Sequence, residues 1–123
     1  MCNEALPRFE CRLREASGVP CVEAVGEIDI ATASSFRDAI LARIPGGERA
    51  CLLVDLRQVP FMDSEGLRVL LGARIFFPDG LALVGARPTL HRVLTVTGMD
   101  RLFVLASTCE EAAGALLRRR FCL

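Results

Sequence analysis

Ser64 is the residue of this chain best placed to do chemistry, and its surroundings, Met62-Asp63-Ser64-Glu65-Gly66-Leu67-Arg68, limit which chemistry that is. Asp63 is a strong helix N-cap type, which leaves the next hydroxyl without a capping job, at the first helical position and facing outward. Met62 and Leu67 have the spacing of a hydrophobic staple across that cap. A serine nucleophile would need a base, an orienting acid and oxyanion donors. The chain has one histidine, His91, in another helix, and the serine is not set in a G-x-S-x-G elbow. All fifteen basic residues are arginine, so the lysine and the glycine-rich loop of a phosphate-gripping nucleotide site are both missing. Asp29, Asp63 and Glu65 are acids that could gather round magnesium, but capping and solvation explain each more cheaply. No catalytic residue, metal or cofactor is therefore expected.

What remains is a hydroxyl at a helix start, a position that accommodates phosphate. Phosphorylation would add about −1.5 to −2 charges at neutral pH. The helix N-terminus would offset part of that, by about 0.3–1 kcal/mol, while Asp63 and Glu65 would oppose it. The fold need not change, yet a partner resting on Ser64 would meet a dianion. The plain alternative is an ordinary first-turn serine.

The elements that must position this turn follow from periodicity. Phe9-Glu10-Cys11-Arg12-Leu13 alternates as a half-buried strand does, and Ser17-Gly18-Val19-Pro20 is a turn signal before a second strand, Cys21 to Val25. Thr32 to Ile44 reads as a helix with Phe36, Ile40, Leu41 and Ile44 on one face, stopped by Pro45-Gly46-Gly47. Cys51 to Val54 and Leu81 to Val84 are apolar runs typical of strands covered on both faces. Between them a helix from Ser64 to about Ile75 is expected to bury Leu67, Leu70 and Leu71. A third helix from Pro88 to Gly98 turns Leu90, Val93 and Leu94 inward. Leu102 to Leu105 reads as the last strand, and Thr108-Cys109-Glu110-Glu111 as a capping box for a helix from Ala112 to about Arg119. The order β-β-α-β-α-β-α-β-α predicts one α/β domain over residues 1–123, its sheet parallel apart from an opening hairpin. Loops that leave parallel strands share one edge of the sheet, so Asp29, Ser64 and Arg87 are expected to meet there.

Composition narrows the class further. The 123 residues are 52% apolar with fifteen acidic against fifteen basic side chains, enough for one core and without the electrostatic footprint of a nucleic-acid binder. Arg118-Arg119-Arg120 ends a helix, where it complements the dipole. No apolar run approaches a membrane span and the first residues are polar, so a cytoplasmic location is expected. The six cysteines lack C-x-x-C spacing, and Cys11, Cys21 and Cys51 fall in strand-like runs, as buried free thiols do. Cys2, Cys109 and Cys122 are expected to be more accessible, and a redox role for them is a side hypothesis.

Three stretches resemble the STAS domain, in particular the bacterial anti-sigma factor antagonists. They are Gly26-Glu27-Ile28-Asp29; Leu53-Val54-Asp55-Leu56 with Phe61-Met62-Asp63-Ser64-Glu65-Gly66-Leu67; and Leu83-Val84-Gly85 running through Val93-Leu94 to Thr97-Gly98-Met99-Asp100-Arg101-Leu102-Phe103. The resemblance covers roughly residues 9–117. It implies a STAS-like single domain with a mixed sheet of about five strands flanked by about four helices. It also implies a non-enzymatic switch. The unphosphorylated antagonist binds an anti-sigma factor that is itself a serine kinase, phosphorylation of Ser64 releases it, and a serine phosphatase restores it. ATP then belongs to the kinase. Asp29, Asp63, Ser64, Glu65, Gly66, Arg68 and Arg87 are the expected partner-binding residues, with no nucleic acid or membrane involved.

The chain departs from the family at position 65, usually serine or threonine, where Glu65 sets a permanent charge beside the acceptor. Glu65 instead favours the alternative of a non-switching STAS subunit, a structural partner in a transport or sensory complex. The helix after Ser64 is slightly short and ends in Ile75-Phe76-Phe77, readable either as partner surface or as residues buried under the sheet.

Overall fold

The computed structural model describes residues 9–43 and 50–121. Five strands form one sheet: β1 (Phe9–Ala16), β2 (Val19–Gly26), β3 (Leu52–Gln58), β4 (Leu81–Val84) and β5 (Val104–Ala106). Four helices accompany them: α1 (Ala33–Leu41), α2 (Ser64–Ala73), α3 (Pro88–Thr97) and α4 (Cys109–Phe121). A 3-10 turn, Met99–Arg101, follows α3. Strand order in the sheet follows chain order, β1-β2-β3-β4-β5, with β1 antiparallel to β2 and every other pair parallel. The expected mixed α/β sheet is therefore the one observed.

Local chemistry explains the details. Ser17 and Gly18 both take positive φ, 52° and 82°, the geometry that a two-residue hairpin turn requires. Pro20 then lies inside β2 rather than in the turn. It is tolerated there because the parallel ladder to β3 begins one residue later, at Cys21 opposite Leu53. Gly98 closes α3 with φ of 81°, as a left-handed cap does. The capping box at Thr108 is real, with Thr108 Oγ1 accepting from the Glu111 N–H and the Glu111 carboxylate accepting from the Ser107 N–H. It starts α4 at Cys109, three residues ahead of the expected Ala112.

The sheet divides two apolar clusters. One holds Phe36, Ile40, Leu70, Leu90 and Leu94 from α1, α2 and α3, against Val22, Val54 and Leu83. The other holds Ala112, Ala113 and Leu116 of α4, against Cys21, Leu53 and Val84. Each helix of the first layer buries a narrower stripe than its composition suggests. In α2 the buried positions are Gly66, Leu70 and Ala73, so Leu71 is turned out, 41% exposed, and Leu67 is half-buried. Val93 and Leu41 are likewise exposed, a step of about 100° away from the Leu90–Leu94 and Phe36–Ile40 lines. Ile44 and Pro45-Gly46-Gly47 lie outside the described residues. The last strand begins at Val104 rather than Leu102, because the 3-10 turn carries Leu102 outward and Phe103 into the core. After α2, three tight turns direct Phe77 fully inward, as the burial reading expects, and leave Ile75 and Phe76 exposed.

Candidate functional site

The turn before α2 is built by Asp63. Its backbone is extended, with φ of −93° and ψ of −169°, and its Oδ1 accepts from the Glu65 N–H at 2.8 Å and the Gly66 N–H at 3.4 Å. These are two of the donors that a helix start leaves unpaired. With that role taken, Ser64 is exposed at the first position of α2, and its hydroxyl makes no hydrogen bond among the described residues. Asp63→Ala should cost about 0.5–2 kcal/mol of stability in urea denaturation, and Asp63→Asn only a small part of it. Equal stability of Asp63→Ala and the unaltered chain would show that the cap contributes nothing.

A second segment is fastened to this turn. Ile28 forms a parallel bridge with Met62, its N–H donating to the Phe61 carbonyl at 2.9 Å and its carbonyl accepting from the Asp63 N–H at 3.0 Å. The Ile28 side chain is wholly buried, and it explains Gly66. A Cβ at position 66 would overlap Met62 Cγ and lie 2.8 Å from Ile28 Cγ2. Asp29 follows at once. Its Oδ1 accepts from the N–H groups of Ala31 at 2.9 Å and Thr32 at 3.1 Å, while Thr32 Oγ1 donates to the Glu27 carbonyl. Asp29 thus shapes the entry to α1 as well as lying next to the Ser64 turn.

Asp29 and Ser64, 35 positions apart, therefore share one edge of the sheet, as the topology predicts. Arg87 belongs to the same C-terminal edge by a different route. It caps α3 with extended backbone, and its Nε donates to the Arg57 carbonyl of β3 at 3.3 Å. Among the described residues no ion pair or hydrogen bond ties it to the Asp63–Arg68 turn. Glu65 is half-buried, and its nearest cation is Arg68 one helical turn on, Nη2 to Oε2 4.0 Å. A loose exposed pair of this kind has little energetic weight, but it offers the Glu65 carboxylate a partner other than the Ser64 hydroxyl.

Apolar surface flanks the turn. Ile30 is 79% exposed and Phe61 50% exposed, one on each side of the Ile28–Met62 bridge. A groove of about 480 Å³ runs from Glu65 and Arg68 between α1 and α2, past Leu41 and Val69 to Ile75 and Phe76. Ile28, Ile30 and Thr32 were not picked out as site residues by sequence. The signal for Thr32 was present, since aspartate followed three residues later by threonine is a turn-and-cap pattern.

Comparison with known proteins adds four findings. A family model described as STAS domain matches residues 10–112. The anti-sigma-F factor antagonist RsfB of Mycobacterium tuberculosis is 30% identical over 98 residues, which is 78% of this chain and 80% of RsfB. Among solved structures, an anti-sigma factor antagonist from Mycobacterium paratuberculosis superposes with a TM-score of 0.79 at 30% identity, covering 89% of this chain and 94% of that one. The Bacillus cell fate determinant SpoIIAA in its phosphorylated form shares the fold, with a TM-score of 0.65 at 22% identity over 87% of this chain and 99% of its own.

Proposed function

The chain belongs to the STAS domain family, and on that premise we propose that it is an anti-sigma factor antagonist working by phosphorylation of Ser64. Unphosphorylated, it binds an anti-sigma factor that is a serine kinase. The kinase transfers phosphate to Ser64, the complex separates, and a serine phosphatase returns the antagonist to its binding form. Cytoplasmic location is part of this reading; among the described residues no helix is long and apolar enough to cross a membrane.

The observation that carries the proposal is the Ser64 hydroxyl, exposed on a helix start that Asp63 has already capped. Two relatives of the same kind, RsfB and the Mycobacterium paratuberculosis protein, are named as antagonists, and SpoIIAA has been seen phosphorylated. The apolar flanks Ile30 and Phe61 and the edge residues Asp29, Glu65, Arg68 and Arg87 give the kinase a surface with Ser64 inside it, while Gly66, expected from sequence to touch the partner, is buried and acts by letting α2 pack on Met62 and Ile28. Glu65 must then be met by a cation of the kinase when the second charge arrives.

Incubation with the cognate kinase and ATP should add one phosphate, and Ser64→Ala should add none. Failure of the unaltered chain to take up phosphate while binding the kinase normally would favour the second reading, a non-switching STAS subunit of a transport or sensory assembly. Glu65 is the feature behind that reading, and transporter genes beside this one, rather than kinase or sigma factor genes, would support it.

A further inference from the structure

On the sheet face away from Ser64, three ligand-type atoms from three different elements converge. They are Cys21 Sγ of β2, an Asp55 carboxylate oxygen of β3 and Cys109 Sγ at the first residue of α4, all within 4.8 Å of one another. The ladder explains the meeting. Cys21 is opposite Leu53 and Glu23 opposite Asp55, so Cys21, Glu23, Asp55 and Arg57 all point to the face that α4 covers. Cys21 and Asp55 are 1% exposed, and Cys109 is half-buried at the mouth.

We propose that Cys21, Asp55 and Cys109 form a binding site for a thiophilic divalent cation of the zinc class, with solvent or an exchangeable ligand in the fourth position. Two thiolates and one carboxylate suit such an ion in type and number, and a three-ligand set leaves one coordination position open. Asp55 is already prepared as a ligand. Its Oδ1 accepts from the Arg57 backbone N–H at 3.1 Å and from Nε at 3.0 Å, and its Oδ2 accepts from Arg57 Nη2 at 2.7 Å and from the Cys109 thiol at 3.7 Å. The guanidinium, whose Nη2 also lies 3.8 Å from Cys109 Sγ, orients the carboxylate, and an arriving cation takes the place of the thiol proton on Oδ2 and displaces Nη2. Burial alone would raise the Asp55 carboxyl; the hydrogen bonds and charge of Arg57 outweigh it and hold the group below the ordinary carboxylate range.

Without a cation the sulfurs keep their protons. Burial first, then the negative charge nearby, pushes Cys21 up to about 12, and the same two causes raise Cys109. Thiols bind such a cation as thiolates, so loading it releases their protons to solvent. The charges then balance. Two thiolates and Asp55 carry three negative charges, against two on the cation and one on Arg57. Glu23 stands outside this count with its own cation. Arg14 Nε is 2.8 Å from Glu23 Oε1, close enough to neutralise it although the N–H does not point at it.

The test uses cobalt(II) as an optical probe on the full chain kept reduced, followed by displacement with zinc. The unaltered chain should show the intense visible bands of tetrahedral cobalt with a thiolate charge-transfer band, and zinc should abolish both and raise the midpoint of thermal unfolding. Cys109→Ser, at the half-exposed mouth where serine suits a helix start, should lower zinc affinity at least roughly tenfold and the charge-transfer intensity by about half or more. Cys21→Ser should do the same, and Cys11→Ser and Cys51→Ser should change neither. Tetrahedral bands that persist unchanged in Cys109→Ser would overturn the proposal. So would a reduced chain that binds no cobalt, including one in which Cys21 and Cys109 join only as a disulfide on exposure to peroxide.

Discussion

Ser64→Asp should weaken binding to the anti-sigma kinase by roughly 10²–10³-fold, because a second carboxylate desolvated in the interface beside Asp63 and Glu65 without a cation of its own costs several kcal/mol. A carboxylate carries one charge where phosphate carries about two, so the loss should be a lower bound on what phosphorylation achieves. Stability should move little, within about 0.5 kcal/mol in either direction. Ser64 is exposed and gives up no hydrogen bond, and the helix N-terminus attracts the new charge while Asp63 and Glu65 repel it. Calorimetric titration with the kinase and urea unfolding of the same sample would check both halves. Undiminished binding by Ser64→Asp would refute the release step. Ser64→Ala is the control that should still bind, since it loses only the hydroxyl.

Ile28→Ala should be the most damaging single change near the site, at about 2–5 kcal/mol of stability. Ile28 is wholly buried, and its Cγ2 fills the space that Gly66 leaves against Met62. Alanine keeps the two backbone hydrogen bonds to Phe61 and Asp63 but opens a cavity beneath them. The Asp63 amide should therefore exchange with solvent faster than in the unaltered chain, beyond what the global loss predicts. Ile28→Val, which removes one methyl, should cost about 0.5–1.5 kcal/mol and give a graded series by urea unfolding and amide exchange. If Ile28→Ala unfolds the chain outright, the valine variant still reports whether protection at Asp63 follows packing at Ile28. Unchanged Asp63 exchange in Ile28→Val would separate the two segments.

Much of this arrangement is legible in the sequence. The N-cap at Asp63, the capping box at Thr108 and the left-handed Gly98 are local devices, set by a few neighbouring side chains, and all three stand where their residue types put them. The edge shared by Asp29 and Ser64 followed from topology alone, since parallel strands deliver their loops to one side. The errors have another origin. Leu71, Val93 and Leu41 are apolar residues one helical step off the buried line, and composition cannot say where a stripe ends when each helix covers only one side of a sheet. Leu102 and Phe103 are strand-type residues, but the turn after Gly98 uses one as surface and the other as core, so β5 begins only at Val104. The meeting of Cys21, Asp55 and Cys109 was the least readable. It depends on the β2–β3 register and on α4 starting three residues sooner than its apolar pattern suggests.

Because strand order in the sheet repeats chain order, each strand pairs with one already made, and no strand waits for a later one to be inserted beside it. Only the β1–β2 hairpin is a local closure; each parallel pairing, such as Cys21 with Leu53 or Leu52 with Leu81, must first close a loop that contains a whole helix, so these are the slower steps. For a chain leaving the ribosome from its N-terminus, β1, β2, α1, β3 and α2 are all available once residue 73 has emerged. The Ile28–Met62 bridge and the capped start at Ser64 lie entirely within that span. Within the domain, the Ser64 turn thus forms before the rest of its edge, and β4, α3, β5 and α4, with Arg87 at the start of α3, are added to it.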